Sequence, residues 1–270
     1  MKGLKKIALA TAVAAMPFAA HADLKALDDT AMGNVTGQAG VTIELETKVS
    51  IGQFVYTDEG SFTVNDIVLG GSGVAGGPGS DLLDDLYIDI DVEADGDAVI
   101  SVHSISGAPI DWGMTASSME LVAADGSEST TLVSNLSGYG ALGQLDIRVD
   151  TATDTLNLDV AFNVQQMDFD VEFLGVGIRD MAIMGGNFFE EVSANGQPVS
   201  AAGLFAVANV DVYKGDGLGA STMTDVLRID INDITMDMSI GAIEIGGASI
   251  GSIAMDNLTI SDTRLAVYGH

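Results

Sequence analysis

The chain has 270 residues, of which 39 are acidic and 10 basic, so its formal net charge is −29. Because 47% of its residues are hydrophobic, it is not a disordered acidic chain, and because it has no cysteine it contains no disulfide scaffold, thiolate metal site or cysteine nucleophile. The strong negative charge argues against nucleic acid as a partner, since phosphates require a basic surface.

The beginning of the chain has the pattern of a cleaved signal peptide over 1–22. Three lysines among the first six residues precede an apolar stretch over 7–20, and Ala20, His21 and Ala22 have the small-x-small form of a signal-peptidase site. The apolar stretch is short for a membrane span, and the chain after it has no apolar run of about 18 residues. We therefore expect an exported mature chain without a transmembrane helix. A Gram-negative source is expected, with the periplasm, the outer surface or the extracellular space as the destination.

From residue 41 onward, apolar and polar residues alternate with period two. The clearest runs are 41–46, 86–93, 145–150, 155–164 and 227–240. Such alternation is typical of sheets with one buried and one wet face. In the last run the phase slips at Asn232 and Asp233, which predicts a β-bulge or a tight turn. The pattern predicts an all-β antiparallel meander, as an elongated sandwich or roll, behind a cleaved N-terminal signal helix.

Turn residues separate these runs. Asp95-Gly96 and Asp125-Gly126 suit the positive φ angles of type I′ hairpins. Long loops are expected over 193–203 and 214–221. The glycine-rich stretch over 70–80 is either a boundary between two domains or a long hairpin loop. The second is the plainer interpretation, so we predict a single β-rich domain over 23–270.

The C-terminal part, 241–269, has a different texture. Short apolar pairs are broken by Gly, Asn and Asp, as small strands of a roll or solenoid would be, or edge strands of an elongated sandwich. In the last run, Leu265 and Val267 share one side. We predict that both face the core and that this run pairs with a neighbouring strand or a neighbouring subunit, because an unpaired apolar edge invites aggregation.

Motifs that would carry catalysis are weak. The stretch 247–251 spells G-x-S-x-G, but this nucleophile motif needs a strand-to-helix turn and no helical pattern follows it. Residues 76–83 match a single calcium-binding nonapeptide, whereas that chemistry needs successive turns. His103 stands alone, so a zinc site is not expected. We predict no catalytic residue, no bound cofactor and no enzymatic activity.

Calcium is the one ion that the sequence suggests. Aspartates are densest over 81–97, and calcium binds carboxylate oxygens in flexible geometry. The alternative is a solvated acidic face that keeps an exported protein soluble. The candidate ligands are Asp81, Asp84, Asp85, Asp95 and Asp97.

Three stretches resemble a known family. They are 24–29 with 35–43 (LKALDD and VTGQAGVTI), 145–150 (LDIRVD), and 246–253 with 267–270 (GGASIGSI and VYGH). Together they resemble an uncharacterised family of exported gammaproteobacterial proteins, known as domains of unknown function. Some similar proteins are described as pilus-assembly protein FilA. The resemblance implies a surface or filament role and no catalytic residue.

Two functions are expected from these features. The first is an exported, non-enzymatic structural or interaction protein of the cell envelope or surface, such as a pilus, filament or adhesin component. Its partners would be copies of itself or other surface subunits. The alternative is a periplasmic or secreted protein whose strands curl around an apolar groove, because an Ile, Leu, Met and Val lining suits acyl chains.

Overall fold

The computed structural model describes residues 40–269, so the predicted signal peptide lies outside the described residues. This part of the chain is almost entirely β-structure, which confirms the all-β prediction. The strands are β1 (Val41–Thr47), β2 (Val49–Thr57), β3 (Ser61–Gly70), β4 (Leu83–Val92), β5 (Ala98–Ser104), β6 (Ile110–Val122), β7 (Ser129–Asp150), β8 (Thr155–Val171), β9 (Val176–Met184), β10 (Ala206–Gly215), β11 (Val226–Ile245) and β12 (Ala248–Val267). The helices are α1 (Phe188–Asn195) and α2 (Ala201–Leu204), and 3-10 turns lie at Ser72–Ala75 and Glu172–Leu174.

All twelve strands form one antiparallel sheet. Four strands, β7, β8, β11 and β12, run the full length of the sheet. At each of four other positions, two consecutive strands lie end to end: β1 with β2, β3 with β4, β5 with β6, and β9 with β10. We call each full-length strand, or each end-to-end pair, a path. We call the half of the sheet that contains β1, β4, β5 and β10 the upper half, and the half that contains β2, β3, β6 and β9 the lower half. The upper half has the order β1-β4-β5-β7-β8-β10-β11-β12. The lower half has the order β2-β3-β6-β7-β8-β9-β11-β12. The chain therefore runs up and down through eight long paths in sequence order, which is the predicted meander.

Register places apolar residues on one face across the whole sheet. One row in the upper half consists of Ile43, Ile88, Val102, Leu145, Val160, Ala208, Ile234 and Ile260. One row in the lower half consists of Val49, Leu69, Met114, Gly138, Met167, Met181, Ile240 and Ile253. Because neighbouring side chains along a strand point to opposite faces, these rows define an apolar face.

The opposite face is polar. The row next to the first one consists of Thr42, Asp89, Ser101, Asp146, Asp159, Asn209, Asp233 and Ser261. We call the two sides of the sheet the apolar face and the polar face. The acidic side chains that keep the strands wet therefore share one side, which agrees with the period-two pattern of the sequence.

Bulges keep the apolar residues on the same face. Asn209 pairs with Asp233 while the next residue, Val210, pairs with Ile231, so Asn232 is the extra residue. This confirms the predicted bulge and excludes the alternative of a tight turn. Further aspartates and asparagines within strands have positive φ, which these short polar residues tolerate better than other side chains. They are Asp66, Asp85, Asn135, Asp180, Asn257 and Asp262.

The Asp-Gly hairpins occur where the sequence predicts them, but with another turn type. Gly96 has a φ of 97° and Gly126 a φ of 69°, whereas neither preceding aspartate has a positive φ. A type I′ turn needs two positive φ angles. Gly96 instead donates its backbone N–H to the Glu93 carbonyl at 3.0 Å. This hydrogen bond closes a turn in which Gly96, the last residue, has a left-handed backbone conformation. The prediction of type I′ turns was therefore wrong.

Two other expectations are corrected by the structure. The C-terminal part is not a set of small strands, because β11 and β12 are single strands of 20 residues each. The first break between its apolar pairs is the β11–β12 turn at Gly246 and Gly247. The later breaks are the register shift at Asn257 and the positive φ of Asp262, which interrupt alternation without ending a strand. The region 193–203 is not a plain loop, since it holds the end of α1 and the start of α2.

The buried core is small, and most of it lies where the upper and lower halves of the sheet meet. Among the described residues, seven apolar side chains are buried, and Ile110 and Ala206 are 1% and 0% exposed. Leu265 and Val267 lie on the apolar face and pair with Ile229 and Leu227, which confirms the predicted strand pairing. They are 39% and 52% exposed, so the prediction that they face the core was wrong. The reason is that β12 forms the border of the sheet, where a side chain has neighbours on one side only.

Candidate functional site

The two borders of the sheet are open. Within residues 40–269, β1 pairs only with β4, β2 only with β3, and β12 only with β11. Each border therefore presents backbone N–H and C=O groups without a partner strand, and such groups readily pair with another chain. Every residue of β2 is exposed, as are most residues of β12.

Charge is distributed unevenly along these borders. The upper halves carry Glu44, Glu46, Asp262 and Arg264, and Lys48 and Asp256 lie near the middle. Strand β2 (VSIGQFVYT) and the first eight residues of β12 (ASIGSIAM) contain no charged residue. Charged side chains and proline are the usual protection of an edge strand, so the lower half of both borders lacks it.

The apolar face is exposed towards its periphery. Val41 is 57% exposed, Phe54 50%, Val92 70%, Ile245 50% and Val267 52%. All five lie on the apolar face near a corner or border of the sheet. Large exposed apolar areas mark surfaces that bind other molecules, so the periphery of the apolar face is a candidate binding surface.

One carboxylate cluster on the sheet could converge on a cation. The carboxylates of Glu93, Asp95 and Asp97 lie within 4.8 Å of one another. The guanidinium of Arg148 lies 2.9 Å from Glu93, 4.0 Å from Asp95 and 2.5 Å from Asp97. Arg148 thus already supplies the positive charge at this position. Hydrogen bonds from Thr151 and Arg148 hold the pKa of the Asp97 carboxyl below its usual range.

The other calcium candidates do not join this cluster. Asp81, Asp84 and Asp85 lie before or at the start of β4, and Asp95 lies beyond its end, about 30 Å away at roughly 3.3 Å per residue. Each of the three has its own partner nearby. The partners are Lys48 Nζ at 2.8 Å for Asp81, Ser80 Oγ at 2.8 Å for Asp84, and the Ser106 backbone N–H at 2.8 Å for Asp85. The structure therefore brings together two of the five predicted ligands.

His103 is paired on the polar face rather than isolated. Its Nε2 lies 2.6 Å from Asp89 Oδ2, and its Nδ1 lies 3.3 Å from the Ser104 carbonyl oxygen. The hydrogen bond to Asp89 raises the pKa of His103, while those from Thr42 and His103 lower the pKa of Asp89. Because both ring nitrogens are engaged, His103 is placed as half of an ion pair and not as a free base.

Two carboxylates, half-buried Asp111 and buried Asp237, hold the insertions that lie over the polar face. Asp111 Oδ2 accepts hydrogen bonds from the backbone N–H and Oγ of Ser72, each at 2.7 Å. Asp237 accepts from the backbone N–H of Phe189 at 2.9 Å and from that of Asn257 at 2.7 Å. The first pair fixes the glycine-rich loop and the second fixes α1. The sequence did not indicate either carboxylate, because each is one acid among many at polar positions of a strand.

An open cavity with a volume of about 880 Å³ lies at the end of the lower half. Its wall mixes aromatic and acidic side chains with the end of the chain. The lining includes Tyr56, Phe62, Leu121, Glu59, Glu128 and Gly269. The cavity lies beside hairpin turns, and Tyr56, Phe62 and Leu121 in its wall are paired neighbours across β2, β3 and β6 on the apolar face.

A family model matches part of the chain. Residues 1–94 match the model of a family of unknown function, DUF6160. The match extends through β4 and agrees with an uncharacterised domain in this part of the chain. Neither a curated protein nor a solved structure matches the chain. Among the helices of residues 40–269, none has the length and apolar character that crossing a bilayer requires.

Proposed function

We propose that this chain is an exported, non-enzymatic structural or interaction protein of the cell envelope or surface, with a pilus, filament or adhesin component as its specific form. The observation that carries the proposal is the open two-faced sheet. Its apolar face crosses all eight paths, and within residues 40–269 both of its borders present backbone groups without a partner strand. A protein whose task is association exposes such surfaces, whereas a protein that only has to remain soluble protects them.

The export signal and the family resemblance in the sequence support the same proposal. The pattern over 1–22 is that of an export signal, and the resemblance to gammaproteobacterial proteins that include pilus-assembly protein FilA implies a filament role. The acidic polar face suits an exposed position, because like charge keeps that side wet and free of nonspecific contacts.

Cell fractionation combined with electron microscopy of the cell surface tests this proposal. We expect the protein in the envelope or on the surface and, in its specific form, in polymers that disappear when the gene is deleted and return when it is restored. A protein found only in the cytoplasm would contradict the proposal. A soluble periplasmic monomer would contradict the filament form.

Export is tested by the mass of the mature protein. We expect cleavage after Ala22, because Ala20 and Ala22 provide the small residues that a signal peptidase requires. Mass spectrometry of the exported form would then give a chain that begins at Asp23. An exported form that retains Met1 would contradict the expectation.

A second candidate is a binder of lipid or another apolar ligand, which the exposed rows of the apolar face favour. In that case the protein purified from the envelope would carry a stoichiometric apolar molecule. Native mass spectrometry before and after organic extraction distinguishes the candidates. A bound acyl chain on a monomer favours the second candidate, and a lipid-free polymer favours the first.

A further inference from the structure

We propose that copies of this chain join border to border, with the lower half of β12 of one copy pairing with β2 of the next, so that one antiparallel sheet continues through the assembly. The inference deepens the proposed filament function and rests on it. It names a second copy of the chain as the partner and the two uncharged border segments as the surfaces that meet.

The directions of β2 and β12 favour this pairing. The meander has eight long paths, an even number, so its first and last paths run in opposite directions. Strand β2 runs towards the lower end of the sheet, and β12 starts from that end. A second copy added beside the first in the same orientation therefore places β2 antiparallel to β12. The new pair has the geometry of every other neighbouring pair in the sheet, and antiparallel ladders are the more stable kind.

Register is the second argument. Val49 and Ile253 are the two ends of one apolar row that crosses all eight paths. A second row in the lower half ends at Phe54 on β2 and at Ala248 on β12. Placing a second copy level with the first sets Val49 opposite Ile253 and Phe54 opposite Ala248. The apolar face then runs unbroken from one copy into the next.

Charge is the third argument. At this level β2 meets the segment 248–253, and neither contains a charged side chain. Elsewhere on the borders the charges are mostly acidic and would repel. The placement that joins the apolar rows of the lower half thus also brings the two uncharged segments together. The formal net charge of −29 opposes association over longer distances, so assembly should be favoured by salt, which screens charge over about 10 Å at 0.1 M.

Such an interface is heterologous, because two different surfaces meet, and it does not close on itself in a dimer. Because neighbouring paths lie about 4.8 Å apart, a copy that is eight paths wide gives a repeat of roughly 38 Å. A twist of about −20° for each strand rotates successive copies by roughly 160°, which makes a helical ribbon.

Cysteine cross-linking tests the contact directly, because the chain has no cysteine of its own. Ser50 and Ser252 are exposed, lie on the polar face and are the neighbours of Val49 and Ile253. In the full-length exported protein, S50C/S252C treated with a short bis-maleimide should give a ladder of covalent multimers. The control S127C/S252C, with Ser127 at the exposed β6–β7 turn, should give none.

A charge substitution tests the contact without covalent cross-linking. Val55 in β2 and Val207 in the interior strand β10 both point to the polar face and are 47% and 43% exposed. Val55→Lys should abolish polymers because it places a charge in the uncharged border. Val207→Lys adds the same charge and should leave polymers intact. Circular dichroism should show the same β content for both variants, which separates loss of assembly from loss of folding.

The outcomes separate this inference from the proposed function. A ladder from S50C/S252C, polymers lost in Val55→Lys and a repeat near 38 Å support it. Polymers on the cell without the ladder would overturn the border contact and leave the filament function standing. Cross-linking of S50C alone into dimers would overturn it in favour of β2 pairing with β2. A monomer under every salt condition, with no surface polymer, would overturn both.

Discussion

Asp97 and Arg148 form an ion pair that links two hairpins of the sheet. Asp97 Oδ2 accepts hydrogen bonds from Arg148 Nε at 2.9 Å and Nη2 at 2.5 Å, and Oδ1 accepts from the backbone N–H of Thr151 at 2.9 Å and its Oγ1 at 3.0 Å. The carboxylate is 4% exposed. It joins the β4–β5 hairpin to the β7–β8 hairpin, and so fixes the upper end of the sheet.

Removing this carboxylate should lower the melting temperature. In Asp97→Ala, Arg148 keeps Glu93 but loses its closest carboxylate, and Thr151 loses the acceptor of its N–H and hydroxyl. An unpartnered group that is shielded from water is costly. Asp95→Ala is the matched control, because that carboxylate is well exposed and lies 4.0 Å from Arg148. We expect a clear loss for Asp97→Ala and little change for Asp95→Ala in thermal denaturation. Equal effects would contradict the assignment.

The effect of Asp97→Ala should depend on pH. The pKa of Asp97 lies below the unfolded value of about 3.9, so its contribution is complete above that pH and is lost as the pH falls through the lower folded value. The difference in melting temperature between wild type and Asp97→Ala should therefore be full at neutral pH and shrink below about pH 4. A difference that stays constant into acid would show that the carboxylate is not the cause.

The His103–Asp89 pair should titrate as an ion pair. Because its hydrogen bond to Asp89 raises the pKa of His103, the pair stabilises the fold fully below the unfolded histidine value of about 6.5 and loses this contribution as the pH rises through the raised value. NMR titration of the imidazole should give a pKa above 6.5 that falls in Asp89→Asn. An unchanged histidine pKa in that variant would contradict the pairing.

Asp237 should anchor the helical insertion. It is 1% exposed and accepts two backbone hydrogen bonds, so Asp237→Ala leaves the N–H groups of Phe189 and Asn257 without an acceptor. We expect a loss of roughly 2–3 kcal/mol in the free energy of unfolding. We also expect faster hydrogen exchange over α1 than in wild type. The exposed neighbour Asp256 provides the control Asp256→Ala, which should change neither measurement.

Position on the apolar face should decide the cost of truncating a side chain. Ile110 is 1% exposed, so Ile110→Ala should cost about 2–5 kcal/mol. Leu265 is 39% exposed at the border, so Leu265→Ala should cost about 1 kcal/mol or less in the monomer. Chemical denaturation measures both. Equal costs would show that β12 is covered by another molecule in solution.

Salt and calcium distinguish a solvated acidic face from a specific ion site. The formal net charge of −29 produces self-repulsion, which salt screens, so moderate salt should raise the melting temperature. Arg148 already pairs with Glu93, Asp95 and Asp97 and occupies the position between them, so we expect calcium and magnesium at matched ionic strength to act alike. A much larger rise with calcium would reveal a specific site, and loss of that rise in Asp95→Ala would locate it.

The sequence determined which residues share a side of a strand. Period-two alternation is local, because successive side chains point to opposite faces, and it predicted the shared side of Ile88 and Ile90 and the bulge at Asn232. The alternation was misleading where an irregular residue inside a strand interrupts it in the same way as the end of a strand. The interruptions at Asn257 and Asp262 suggested several short strands, and the structure has one strand of 20 residues.

The tertiary structure alone decided which strands lie at the borders and which distant side chains meet. Asp97 and Arg148 are 51 positions apart, and His103 and Asp89 are 14 apart, so their pairing depends on strand order and register, which no local pattern contains. The exposure of Leu265 has the same origin. Its alternation is that of a core residue, and it is open to solvent because the sheet ends at β12. Local alternation thus fixed the two faces, and the order of the strands fixed where those faces end.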